Sequence, residues 1–328
     1  MSVRYPHVLS RRGFCVCCAA AVGLGANGVW SSRAEAAVEP RDIVDLIRDY
    51  AAKTPLRLHK LRGGVTVVEG SGGNIAVLPG ADGKVFVDAG ITASRLRILE
   101  AVDSLSHDPI SLLINTHWHF DHTDGNQWLN EQGAAILAHE NTHKHLQAAM
   151  RVEDWEYGFP APPLSAVPSE TFTSEKTLNL NRSTLHLKHY GPAHTDSDIS
   201  VTFVEADVLH CGDTFWNGFY PFIDYSSGGS IDGLIKAADA NVAAVSEKTN
   251  VIPGHNMPGQ ASPASNKAEL VSFRDMLVAI RENVAKLKRQ ERSLDETVAA
   301  KPTAAFDAKW GQFLITPAFF TKLVYEGV

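Results

Sequence analysis

Residues 115–126 read NTHWHFDHTDGN and place three histidines and an aspartate within six positions, His117 to His122. Imidazole and carboxylate are the side chains that offer nitrogen or oxygen to a borderline divalent cation. On extended backbone, residues i and i+2 project to the same side, so His117 and His119 can hold one ion together. On a helix the same pair would lie about 200° apart and could not. Asp121 and His122 follow after a short turn and reach toward a second ion. Three further stretches add donors in turns flanked by Gly or Pro: His194 in GPAHTDSD, Asp213 in HCGDTFWNG and His255 in IPGHNMPG. Five imidazoles and two carboxylates suit a pair of divalent ions, zinc first, and a carboxylate such as Asp213 can bridge them.

Donors this far apart in sequence have to be gathered by elements that end in one place. PISLLIN (109–115) is a short continuous apolar run, the pattern of a buried strand, and it leads directly into the histidines. DGN (124–126) opens the next helix. The cluster thus sits at the end of a buried strand, where α/β proteins hold their ligands. Strand-like runs recur at 64–70, 74–80, 84–90, 134–138, 184–190, 198–204 and 207–211, and TNVIPGH (249–255) ends on His255. Helical patterns cover 40–53, 92–106, 140–150, 231–245 and 264–293. Two groups of strands with helices between them predict a layered α/β architecture. GFPAPPLSAVP (158–168) reads as a loop able to lie over the site, and the tail from Lys309 to Val328 packs its aromatics on the body.

The chain has 328 residues, 44% hydrophobic and 20% charged, with a mean hydropathy of −0.10 and a net charge of −7. It has no Lys/Arg-rich stripe, which excludes a nucleic-acid binder. No repeat or low-complexity segment interrupts it. The first 36 residues differ from the rest: SRRGFCV (10–16) carries paired arginines, a short Gly- and Ala-rich apolar stretch follows, and AEAA (34–37) supplies small residues. The apolar stretch is too short for a membrane span. This order resembles a twin-arginine (Tat) signal, which implies export to the periplasm by the Tat machinery as a folded protein and removal of residues 1–36. Removal would leave residues 37–328 as one domain, with 264–328 as a C-terminal helical extension. That chain holds 26 basic against 36 acidic residues and only Cys211, so it can form no intrachain disulfide.

HWHFDH matches the HxHxDH motif of the metallo-β-lactamase superfamily, and the later His, Asp and His recur in that family's order over about residues 60–260. The resemblance implies a four-layer αβ/βα sandwich with two mixed β-sheets. It implies that His117, His119 and His194 bind a first metal and Asp121, His122 and His255 a second, with Asp213 bridging. Asp88 in VDAG falls on a position that orients the site by hydrogen bonding. The chemistry implied is hydrolysis of a small molecule by two Zn2+, with iron or manganese as substitutes. A hydroxide shared by the ions attacks the carbonyl carbon of a lactam, lactone, ester or thioester, and Asp121 orients it and handles its proton.

Among relatives, the stretch around His194 looks like the metallo-β-lactamases that use a cysteine ligand, which makes β-lactam hydrolysis the second reading. Here, however, Asp213 replaces that thiolate, His122 stands where a non-ligand is usual, and Trp216 takes the place of a carboxylate-gripping lysine. The Asp-plus-His ligand set looks more like glyoxalase II and the lactonases. A third reading is an oxidoreductase resembling the persulfide dioxygenases, with one iron on a site like His117, His119, His194 and Asp213. Trp118, Phe120, Phe215, Trp216 and Tyr220 suggest an apolar groove for an uncharged acyl or cyclic substrate. His139, His143, His145, His186, His189 and His210 read as structural, and Cys211 as a buried strand residue. The oligomeric state is left open.

Overall fold

The computed structural model describes residues 43–328; the stretch 1–36 read as a Tat signal and the first positions of the helix expected over 40–53 lie outside the described residues. In chain order the strands are β1 (Arg57–Lys60), β2 (Thr66–Glu69), β3 (Ile75–Leu78), β4 (Lys84–Val87), β5 (Ile110–Ile114), β6 (Ala135–His139), β7 (Met150–Val152), β8 (Tyr157–Phe159), β9 (Glu170–Phe172), β10 (Glu175–Leu180), β11 (Ser183–His189), β12 (Ile199–Phe203), β13 (Val208–His210), β14 (Trp216–Asn217), β15 (Asn250–Ile252) and β16 (His255–Asn256). The helices are α1 (Ile43–Lys53), α2 (Arg95–Asp103), α3 (Phe120–Thr123), α4 (Asn126–Glu131), α5 (Glu140–Leu146), α6 (Ile231–Ala244), α7 (Lys267–Arg289), α8 (Leu294–Ala299), α9 (Asp307–Trp310) and α10 (Pro317–Glu326).

β1-β2-β3-β4-β5-β6-β9 form a seven-stranded mixed sheet, antiparallel through β4 and parallel from β4 to β9. β10-β11-β12-β13-β15 form a second mixed sheet, in which only β13 and β15 run parallel. Apolar residues decide how the sheets stack. Val67, Val85, Val87 and Ile114 from the first meet Leu185, Leu187, Val201, Val208 and Ile252 from the second in one buried cluster, so the sheets face each other. The outer face of the first sheet packs Phe86 and Leu113 on Ile98 and Val102 of α2 and on Trp128 of α4. The other outer layer is α6 and α7 with the C-terminal helices. α7 buries Leu270, Phe273, Leu277, Ile280 and Val284, a three-to-four spacing that keeps one face inward for its whole length. The result is the αβ/βα sandwich. Among the described residues no helix is long and apolar enough to cross a membrane.

The central strands lie where the apolar runs indicate, two or three residues shorter except for β6 and β11, which keep the expected length and shift by one residue. The run 249–255 divides: β15 ends at Ile252, and His255 starts β16, which pairs in parallel with β14 as a two-residue ribbon. The hairpin β7–β8 holds the first two residues of the Pro-rich stretch 158–168 in a strand rather than a loop.

Candidate metal centre

The segments that follow β4, β5, β13 and β15 carry Asp88, the 117–122 cluster, Asp213 and His255 and bring them together at one end of the sandwich. β5 ends at Ile114, so His117 and His119 stand on a loop rather than on the strand itself. Asp121 and His122 lie in the single turn of α3, not beyond it. One donor atom each from His117, His119, His194 and Asp213 fall within 4.8 Å of one another, and so do those of Asp121, His122 and His255. Asp213 faces both groups. Its Oδ2 is 3.8 Å from His117 Nε2 and 3.4 Å from His194 Nε2 and His255 Nε2, and its Oδ1 is 3.2 Å from His122 Nε2.

The donor set fits cations. His119 Nε2 donates to Asp224 Oδ2 at 3.0 Å and His194 Nδ1 donates to the Phe222 carbonyl at 2.7 Å. The remaining nitrogens, His119 Nδ1 and His194 Nε2, then face each other at 2.8 Å with lone pairs only. Two bare lone pairs at that distance need a positive charge between them. His122 Nε2 and His255 Nε2 converge likewise at 3.2 Å. His117 Nε2 is buried without any hydrogen-bond partner, and Asp213 Oδ1 makes no aligned hydrogen bond. These groups can bind metal ions.

Electrostatics separates the imidazoles. Burial, with His122 adding to it, holds His117 well below the ordinary histidine value, and burial pushes His194 down to about 4. Both are neutral and ready to donate a lone pair. Burial is the largest single influence on His122 and His255 too and opposes their charge, but the carboxylates together outweigh it: Asp213, Asp88 and Asp121 raise His122 well above its ordinary value, and Asp213 and Asp121 raise His255 to about 9. Burial also works against the carboxylates. His255 and His122 nevertheless hold Asp213 well below its usual range, and His122 and His255 hold Asp121 at about 2. Without metal, protons therefore occupy the cationic places. Metal must displace them, so affinity is expected to rise with pH up to about 9, by as much as tenfold per unit for each proton released. Chelator competition at several pH values measures the slope; a flat profile contradicts it.

Two buried carboxylates orient the donors. Asp88, held at φ +67°, accepts from Thr116 N–H at 2.7 Å, Thr116 Oγ1 at 2.8 Å and His122 Nδ1 at 2.7 Å. Thr116 Oγ1 in turn accepts from His117 Nδ1 at 3.1 Å, so one carboxylate sets the tautomers of two rings. Asp224 does the same for His119 and is itself held by Ser227 Oγ at 2.6 Å and Ser226 N–H at 3.0 Å. Sequence reasoning missed Asp224, because a lone aspartate in FIDYSSGG carries no metal-site signal. Asp224→Ala is expected to weaken metal binding by about 10–100-fold with the fold retained, measured by chelator competition. Unchanged affinity would deny it that role.

The remaining histidines hold backbone or neighbours elsewhere. His139 stacks on His189 at 4.0 Å, and these two donate to the Thr173 and Asp198 carbonyls. His210 donates to the Asn74 carbonyl, His143 to that of Pro168, His186 pairs with Thr177 and His145 with Asp196. Cys211 is buried one residue beyond β13. The aromatic groove needs correction. Trp118 lies 4.8 Å from His119 and Trp216 lies 4.8 Å from His255, but Phe215 packs on Phe273 and Tyr220 stacks on Phe320, inside the C-terminal layer. The Pro-rich stretch does not supply the ring beside the cluster. That ring is Trp155 of the β7–β8 hairpin, 5.9 Å from His119 and stacked on Phe222. A cavity of about 420 Å³ beside the β14–β16 ribbon is lined by Asn217, Met257, Gln260, Glu269 and Lys309 among others, none in either cluster, so it is not the reaction space.

Residues 68–276, more than half of the chain, match the metallo-beta-lactamase superfamily. The chain belongs to that superfamily. Among solved structures this superfamily member is similar to the metallo-beta-lactamase from Pontibacter korlensis, at 17% identity over 68% of this chain and 99% of the other, with a TM-score of 0.54. It is similar to the DIM-1 metallo-beta-lactamase at 21% identity over 69% and 98%, with a TM-score of 0.53. The inverting sec-alkylsulfatase Pisa1 from Pseudomonas sp. matches over 84% of this chain but 51% of its own, at 16% identity and a TM-score of 0.62. At these identities the likeness is one of fold.

Proposed function

We propose that this superfamily member is an exported, zinc-dependent hydrolase that carries two ions and cleaves a carbonyl-containing bond in a lactam, lactone, ester or thioester. The observation that carries this reading is the convergence of six further donors around Asp213, with nitrogens facing one another at 2.8 and 3.2 Å. His117, His119 and His194 would hold one ion, Asp121, His122 and His255 the other, and Asp213 both.

When bound, such a pair supplies Lewis acidity that makes hydroxide available near neutral pH and polarises a carbonyl. The chain's own residues do the rest. Asp88, Thr116 and Asp224 keep the imidazole tautomers fixed, so donor atoms need no reorganisation during reaction. Asp121 keeps a tenth of its side chain exposed and lies 3.1 Å from His255 Nε2, placed to hold a proton at Oδ2 and pass it outward. Trp118, Trp155 and Phe222 exclude water from the His119 side.

The test is a panel of lactams, lactones, esters and thioesters offered to zinc-loaded and chelator-treated residues 37–328. Turnover of at least one class that disappears with the metal and returns on reloading supports the reading. Persulfide-dependent oxygen consumption, with no hydrolysis across the panel, contradicts it.

A further inference from the structure

Trp155 stands 5.9 Å from His119, yet the hairpin that carries it cannot hold it there unaided. β7 and β8 are three residues each, and a two-stranded ribbon of that length is not stable alone. The indole Nε1 of Trp155 is buried without a hydrogen-bond partner, so no directional bond fixes the ring either. Its place is set by what docks the hairpin and its turn, Glu153–Trp155. Glu153 N–H donates to Ser226 Oγ at 3.0 Å, and Arg48 Nη1 donates to the Tyr157 hydroxyl at 3.3 Å. The third tie comes from the C-terminal helix: Lys322 of α10 pairs with Asp154. That tie joins two full charges, and the side chain of Asp154 is only 12% exposed.

α10 supports the ring from behind as well. Phe319, one turn before Lys322, stacks on Phe222 at 6.3 Å, and Phe222 stacks on Trp155 at 5.0 Å. The same Phe222 offers its carbonyl to His194 Nδ1. Lys322 acts on two carboxylates. Burial and Asp154 push Glu326, one turn further along α10, above its ordinary value, and Lys322 pulls it back. Without the lysine, two acids would repel each other across the contact between α10 and the hairpin, which would drive the turn off rather than merely release it. We infer that Lys322 is a positioning residue: through Asp154 it holds Trp155 against the His119 side of the metal centre, so that α10 builds one wall of the site. This rests on the hydrolase reading and gives the C-terminal extension a part in it.

Fluorine NMR and hydrogen exchange test this together. In protein labelled with fluorotryptophan, loading with Co2+ is expected to shift the line of Trp155, assigned with Trp155→Phe, and that of Trp118, which lies 4.8 Å from His119. Lys322→Met is expected to shrink the cobalt shift of Trp155 while leaving that of Trp118 in place. It should also lower the exchange protection of the 150–159 amides about tenfold, between the effects of an exposed and a buried ion pair. Asp154→Asn removes the same pair from the other side and should reproduce both changes, and Lys322→Arg should restore the wild-type values. Lys288→Met removes a lysine that donates to the Tyr325 carbonyl at the far end of α10 at 2.9 Å. It should lower the melting temperature yet leave the Trp155 line and the hairpin's protection unchanged. A Trp155 line that cobalt never moves, or that Lys322→Met leaves in place, overturns the positioning role while sparing the metal centre. Failure of Co2+ to shift any tryptophan line overturns both.

Discussion

Asp213→Ala is expected to leave a folded protein that holds less than one tightly bound ion and hydrolyses its substrate at least about 10³-fold more slowly. The reason is position. This carboxylate lies within 4 Å of four imidazole nitrogens, from His117, His122, His194 and His255, and faces both donor groups. Without it two mutually repelling cations would lose the charge between them. The metal-free protein loses as well, because Asp213 is the largest influence holding His122 and His255 in their charged form. Circular dichroism checks the fold, and metal analysis after desalting checks the ions. Retention of two ions with normal turnover would show that the two groups do not depend on a shared ligand.

Gly254→Ala is expected to be nearly as damaging although it removes no ligand. A Cβ at this position would lie 1.9 Å from Asp213 Oδ1 and 2.7 Å from the Gly212 carbonyl carbon. Asp213 is short, buried and enclosed by imidazoles, so neither it nor the Gly212 backbone can yield cheaply. Overpacking of this kind destabilises a fold by about 1–3 kcal/mol, and the displaced carboxylate should lower metal affinity by at least about 100-fold. Gly73 is a second such position, where a Cβ would come within 2.2 Å of the His122 ring. Thermal unfolding with and without zinc separates the two effects. A variant with unaltered metal affinity would show that the loop relaxes around the methyl group.

The sequence disclosed what is local and chemically distinctive. HWHFDH is contiguous, and His194, Asp213 and His255 stand in Gly- or Pro-marked turns after strand-like runs, so residue type and spacing pointed to them. The apolar runs of β3 and β4 are buried throughout and that of β5 over three of its five residues, which is why they read clearly and why the layered architecture followed. What stayed hidden depends on proximity. Asp224 meets His119 across 105 residues of chain, and Trp155 reaches the site on a hairpin of three-residue strands. The β14–β16 ribbon is two residues long, too short for any periodicity to reveal, yet it brings Trp216 beside His255. Phe215 and Tyr220 looked like groove residues because they follow Asp213. Only the packing of Phe273 and Phe320 against them shows that they anchor the C-terminal helices. Gly254 and Gly73 read as turn residues, and their steric purpose appears only when their neighbours are in place.

The central claim is that these donors hold two ions, and the most direct measurement is elemental analysis of residues 37–328 purified without added metal. The account predicts about two zinc ions per chain. A single iron per chain would contradict it.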